Sequence, residues 1–242
     1  MAHFYLLETL ESTTVGSTIV LDGAEGRHAA TVSRVRAGER FSLGNGRGLV
    51  VAAEVLSTSK DTVELRVDSV EEMKPETPQI YLVQALAKTD RDERAVEAAT
   101  ELGIDVVIPW AADRSISKWE GPKIDKGLTR WSAIVREATK QSMRAFLPRV
   151  GPHLKTAQLI SELEDAHIIV LDPTGTVPLS QVELDERDIA VVVGPEGGIT
   201  ESELARFTQA GASTVTLGSN ILRTSTAGPA ALAIINAKLG RC

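Results

Sequence analysis

The chain contains one cysteine, Cys242, and four histidines, His3, His28, His153 and His167, without the short spacings that metal sites use. A lone cysteine closes no disulfide within the chain, and this set offers no cysteine-based zinc site. Long apolar runs are missing as well. Nowhere does the sequence approach the roughly 18 consecutive apolar positions needed to cross a bilayer. Residues 1–10 have neither a basic start nor an extended apolar stretch, so no secretory signal is expected there. The expectation is a cytoplasmic protein without a structural metal.

Bases are outnumbered, with 26 Lys and Arg against 33 Asp and Glu and a net charge of −7. That balance argues at first sight against a nucleic-acid partner, but the cations are segregated. Residues 27–47 carry five arginines and the single acid Glu39, and residues 114–155 carry ten Lys and Arg against Glu120, Asp125 and Glu137. Such clustering suits a basic face on an acidic body. It suits two solvated helix faces equally well, and on charge alone that is the simpler reading.

What is present divides in two around residues 71–78, a charged, proline-bearing stretch that reads as a linker. Ahead of it, Phe41-Ser42-Leu43 and residues 63–67 alternate as strands do, with Gly44-Asn45-Gly46 as a hairpin turn. A helix is predicted over 25–36, with His28, Val32 and Val35 on one face and Arg27 and Arg34 sharing another. Behind the linker, strands are predicted at 80–86, 106–108, 168–171, 189–193 and 215–217. Helices are predicted at 91–102, with Ala95, Ala98, Ala99 and Leu102 inward, and across 126–144, with Trp131 and Val135 inward. Two more begin near 201 and 226. Continuous apolar strands alternating with helices indicate a buried, largely parallel sheet.

Three strand ends carry the chemistry. Residues 191–193 run into Gly194-Pro195-Glu196-Gly197-Gly198, followed by Thr200 and Glu203 at capping-box spacing. Glycines allow positive φ and close approach of backbone to a ligand, and open α/β sheets bind ligands at the carboxyl ends of their strands. The loop lacks the Lys-Ser/Thr of a P-loop and the spacing of a dinucleotide loop. Alone, it is as readily a tight turn with no ligand. The turn Leu217-Gly218 with Ile221, Leu222, Arg223 and Thr224, and the turn Leu171-Asp172-Pro173, follow two other strands. Together the three could surround one adenosine-like ligand. The small residues of the last helix, among them Gly228 and Ala231, suit packing on the sheet or a subunit interface.

Gly-Pro-Glu-Gly-Gly at 194–198, Leu217-Gly218 and Ile221-Leu222-Arg223-Thr224 before an alanine-rich helix resemble the C-terminal motifs of the SPOUT methyltransferases. More narrowly they resemble the RsmE group, which methylates N3 of a uridine in bacterial 16S ribosomal RNA. Upstream, Glu101-Leu102-Gly103, Arg114-Ser115, Arg130-Trp131, Gln141-Ser142 and the stretch from His28 to Arg36 resemble the same group. The resemblance implies an α/β fold: a C-terminal SPOUT-type domain with a parallel sheet and trefoil knot over 79–242, behind a PUA-like β-barrel that binds RNA over 1–73. It also implies a homodimer with S-adenosyl-L-methionine held in the knot. The implied partner is 16S ribosomal RNA, in the small ribosomal subunit. Cofactor contacts are expected from Leu171, Pro173, Gly194, Pro195, Glu196, Gly197, Gly198, Leu217, Gly218, Ile221, Leu222 and Thr224. Arg223, Glu196 and Arg144 are the expected catalytic residues. RNA contacts are expected from Arg27, Arg34, Arg36, Lys88, Arg114, Arg130, Lys140 and Arg144. A methyltransferase for ribose hydroxyls or another RNA, or an RNA-binding protein without catalysis, are the alternatives.

Overall fold

The computed structural model describes residues 4–241; His3 and Cys242 lie outside them. The chain divides into two compact units, one running to Pro75 and taking in Thr139–Leu147, the other made of Glu76–Ala138 and the residues from Pro148 onward.

In the first unit β1 (Phe4–Leu6), β2 (Thr18–Leu21), β3 (Arg40–Gly44), β4 (Leu49–Thr58) and β5 (Val63–Glu72) form one sheet in the order β1-β3-β4-β5-β2. Strand β1 runs parallel to β3 and the remaining pairs are antiparallel. Val63, Leu65 and Val67 of β5 point into the core while Glu64 and Arg66 point out, the alternation of a half-buried strand. The β3–β4 turn is held by Asn45, whose Oδ1 accepts from the backbone of Arg47 at 2.8 Å and of Leu49 at 3.1 Å. Strand β5 continues through Glu71 and Glu72, paired with Val50 and Leu49, so the linker is shorter than its charge suggested.

The helix expected over 25–36 is broken up. A short α1 (Gly23–Arg27) passes into a π-helical segment, His28–Ser33, and Arg34 then takes a left-handed φ of 54°. The wider π turn rotates side chains off the 3.6-residue register. Val35 and Ala29 therefore enter the core, whereas Val32 is 67% exposed and His28 is also exposed. Arg27 and Arg34 share no helix face.

In the second unit β6 (Ile80–Ala85), β7 (Val106–Ala111), β8 (Arg149–Val150), β9 (Leu154–Lys155), β10 (His167–Leu171), β11 (Val177–Pro178), β12 (Ile189–Val193) and β13 (Ser213–Thr216) form a sheet. Every pairing is parallel, in the order β11-β13-β10-β12-β6-β7-β8, with β9 beside β7. All five residues of β12 are buried, as expected of a strand covered on both faces. Helices α2 (Arg91–Glu101) and α6 (Thr224–Leu239) pack on each other and on β6 and β12; α4 (Thr156–Glu162) and α5 (Glu201–Gln209) pack on each other and on β7 and β13. Helix α3 (Pro122–Gln141) carries Trp131 and Val135 inward. Among the described residues no helix is long and apolar enough to cross a membrane.

Two stripes differ from expectation. On α2 the inward residues are Asp92, Ala95, Val96, Ala99 and Thr100, while Leu102 sits beyond the last turn and is 37% exposed. Helix α6 begins at Thr224, two residues early, and its Gly228 and Ala231 are buried within the unit. A Cβ at Gly228 would stand 2.8 Å from Leu82 Cδ1, so glycine there sets how closely α6 lies on β6.

Candidate active site

Strand β12 lies between β10 and β6, and the connection from β12 to β13 crosses β10. This brings the carboxyl ends of β10, β12 and β13 side by side, and the three loops noted in the sequence close around one cavity of about 520 Å³ with an adjoining recess of about 130 Å³. Gly194, Pro195, Glu196, Gly197, Gly198, Arg223 and Thr224 line the larger space, Leu217 and Gly218 the recess, and Leu171, Pro173, Ile221 and Leu222 both. Every residue expected to touch cofactor thus lines one or the other of these two neighbouring cavities. Ile221 is 82% exposed and Leu222 37% exposed, an unusual display of aliphatic side chains at a cavity mouth.

The loop geometry is specific. Gly198 has φ +72° and Gly218 φ +128°, conformations that favour glycine. Gly197 does not need positive φ; its constraint is Arg114, whose Cβ would be 3.2 Å from an added Cβ. At Gly194 an added Cβ would meet Ile199 Cγ1 at 2.7 Å. Thr224, the first residue of α6, donates its hydroxyl to the Gly194 carbonyl at 2.9 Å and accepts from Gln84 Nε2 at 2.8 Å. Gln84 is fully buried on β6, so the end of one strand, the loop of the next and the start of the last helix are tied at one point.

Glu203 anchors the far end of the same loop. It is 1% exposed, and its Oε2 accepts from the Thr200 backbone at 3.0 Å and hydroxyl at 2.9 Å, completing the anticipated capping box. Its Oε1 accepts from the Asp113 backbone and the Thr156 hydroxyl, both at 2.9 Å.

Glu196 Oε1 accepts from the Lys88 backbone at 3.0 Å and from Arg91 Nη1 at 2.9 Å. Burial pushes its carboxyl up, but backbone hydrogen bonds and Arg91 outweigh that and leave it below the usual carboxylate range. Arg91, which also lines the cavity, was not anticipated. It opens α2, more than a hundred positions from Glu196, and only the adjacency of β6 and β12 brings the two together.

The arginines and lysines expected at RNA fare differently. Arg34 and Arg36 are exposed and carry no ion pair among the described residues. Arg27 is bonded to Asp61 at 3.2 Å and Arg130 to Glu93 through two hydrogen bonds. Lys140 is no solvated cation: its side chain is 12% exposed and pairs at 3.1 Å with Glu25, itself 10% exposed. Arg114 Nη1 donates to the Gly197 carbonyl at 3.2 Å and sits 3.5 Å from that of Ile199, bracing the glycine loop. Lys88 is exposed. Arg144 is not among the cavity-lining residues and belongs to the 139–147 segment of the first unit.

An open parallel sheet whose strand ends converge on a ligand-sized, glycine-lined cavity defines an α/β cofactor-binding protein. The family model for an RNA methyltransferase domain matches residues 74–236, and that for an RNA methyltransferase PUA domain matches residues 21–68. The ribosomal RNA small subunit methyltransferase E of Mycobacterium bovis is 39% identical over 100% of this chain and 94% of its own. That of Bacillus subtilis is 30% identical over 98% of this chain and 96% of its own. The crystal structure of the Neisseria gonorrhoeae ribosomal RNA small subunit methyltransferase E, bound to S-adenosyl methionine, superposes with a TM-score of 0.88 at 30% identity over 98% of both chains. The chain belongs to the ribosomal RNA small subunit methyltransferase E family, as its C-terminal motifs suggested.

Proposed function

We propose that this protein transfers the methyl group of S-adenosyl-L-methionine to N3 of a uridine in bacterial 16S ribosomal RNA. The observation that carries this reading is the convergence of the three loops on one cavity, in a chain related along its whole length to a protein crystallised with that cofactor. The residues fit such a ligand. Backbone groups of 194–198 can face a base, open space stands where Gly218 would carry a Cβ, and Leu171, Leu217 and Leu222 supply apolar cover.

The cofactor supplies an electrophilic methyl group on a sulfonium. The protein has to hold uridine N3 in line with it and favour the deprotonated base. Arg223, exposed at the start of α6 and lining the cavity, is placed to stabilise negative charge developing on the pyrimidine carbonyls. Glu196 is a poor proton acceptor, since Arg91 and the backbone N–H of Lys88 favour its ionised carboxylate; it orders the loop. The target base must be unpaired or turned out of its helix, because pairing covers N3.

In this reading residues 1–73 form the PUA-like RNA-binding domain and 79–242 the SPOUT domain, with its knot where α6 starts beneath the 194–198 loop. Arg34, Arg36, Lys88 and Arg144 meet RNA, in the cytoplasm and on the small ribosomal subunit. The protein works as a homodimer, through the exposed Ala233 and Ala237 face of α6. Nucleoside mass spectrometry of 16S ribosomal RNA from a deletion strain tests the reaction. Loss of 3-methyluridine is expected, whereas loss of a ribose methylation in its place would overturn it.

A further inference from the structure

A second cavity, of about 460 Å³, opens on the catalytic unit and shares no residue with the three-loop site. It lies between the segment after β7, the start of α4 and Arg206 of α5. Trp119 forms part of its wall. A Cβ at Gly127 would stand 2.5 Å from the Trp119 ring, so the bare backbone at that turn of α3 lets the indole lie against the helix. Trp131 meets Trp119 edge-on at 5.4 Å and His153 lies 5.5 Å from it, both between ring centroids. Ser115 is 6% exposed and lines the cavity, and among the described residues neither its Oγ nor the buried Nε2 of His153 has a hydrogen-bond partner. Buried polar atoms of this kind are rarely left without a partner. Burial, and then Lys155, push the His153 imidazole down from its ordinary value.

The rim adds charge of both signs. Lys118, Lys155 and Arg206 are exposed and carry no ion pair among the described residues, while Asp113 and Glu120 offer acceptors. Cations alone would suit a bare anion. An aromatic wall, acceptors and cations together suit a planar base that has N–H groups and carries a phosphate. The cavity is also tied to the three-loop site. Asp113 and Thr156 are bonded to Glu203, and Arg114, beside Ser115, is bonded to the Gly197 carbonyl. A group seated in one cavity is therefore held at a fixed offset from the other.

We infer that this cavity takes one unpaired nucleotide of the RNA strand, its base against Trp119 and its phosphate among Lys118, Lys155 and Arg206. The inference rests on the RNA methyltransferase reading and specifies where the strand is gripped away from the reacting base. The test uses full-length protein saturated with S-adenosylhomocysteine, so that the cofactor cavity is filled, and titrated with uridine 5′-monophosphate. The Trp119 indole N–H resonance is expected to shift and saturate. The Lys155→Ala/Arg206→Ala variant, altered only at exposed positions, should bind the nucleotide and RNA about tenfold or more weakly with unchanged S-adenosylhomocysteine affinity. An unmoved Trp119 resonance in protein that binds S-adenosylhomocysteine overturns the inference. So does an equal shift with inorganic phosphate alone, which would show an anion site without a base. Failure of the parent protein to bind S-adenosylhomocysteine would count against the proposed function, and the Trp119 resonance would still decide this point.

Discussion

The hydroxyl of Thr224 donates to the carbonyl oxygen of Gly194 across 2.9 Å, although thirty residues separate them. The bond fixes the start of the last helix to the loop after β12, and Gln84 holds the same hydroxyl from below. Thr224→Val keeps the shape and removes the polar atom. It leaves the buried Gln84 amide and the half-buried Gly194 carbonyl without this partner, at a cost of about 1–3 kcal/mol. Urea unfolding should show the loss, and calorimetry should show weaker S-adenosylhomocysteine binding because the loop loses its anchor. Unchanged values of both would mean that the bond positions nothing.

The glycines separate steric from conformational demands. Gly218→Ala meets nothing within 4 Å but must hold φ +128°, whereas Gly194→Ala would place Cβ 2.7 Å from Ile199 Cγ1. Strain at Gly218 should cost about 1–2 kcal/mol, local to the recess. Gly194→Ala should instead displace Ile199, a core residue, and lower both cofactor affinity and thermal stability. Equal melting temperatures for the two variants would contradict this assignment.

Much of this was legible in the sequence because its signals are local. Apolar runs marked β6, β10 and β12, and the Thr200–Glu203 spacing marked the start of α5. Glycines and aliphatic residues after three strands marked the cavity. What stayed hidden depended on partners distant in sequence or on a change of helical pitch. Nothing near residue 140 announces that Lys140 is buried against Glu25, or that Arg114 holds a loop more than eighty positions away. The π-helical turn at His28–Ser33 breaks the period from which the Arg27–Arg34 face was inferred. The short α4 and the two-residue strands β8, β9 and β11 carry too few residues to show a period.

Glu203 is the buried junction of the unit, accepting from Thr200, Asp113 and Thr156. Glu203→Ala should cost about 3 kcal/mol, since it removes half of the capping box and leaves the buried Thr156 hydroxyl and three part-buried donors unmatched. Denaturant titration measures that loss. Glu203→Gln, which can still accept but brings an amide donor to one of its contacts, should fall between the parent and alanine.

Asp92 gives the pH dependence a sign. Burial raises its carboxyl to about 6, against the hydrogen bonds from the Ala87 and Glu93 backbones that lower it. The folded protein therefore holds this proton more tightly than the unfolded chain does. Stability from this group is fully present below the ordinary carboxylate value and is lost as pH rises through about 6. Asp92→Asn should flatten that part of the stability profile in urea titrations across the window. A variant whose slope matches the parent would assign the slope to another group.

Exposed cations without a partner should dominate the grip on RNA. Arg34 and Arg36 carry no ion pair among the described residues, whereas Arg27 is bonded to Asp61 at 3.2 Å. A phosphate contact made by Arg27 must first give up that carboxylate, so its net gain is smaller. Replacing Arg34 and Arg36 together by alanine should reduce the slope of log affinity against log salt by about 0.7–0.9 for each phosphate the variant no longer neutralises. Arg27→Ala should change the slope less, and cofactor affinity should hold in both. If binding to a 16S fragment keeps its full salt slope in the double variant, the first unit's arginines are a solvated surface, and the grip on RNA must come from elsewhere.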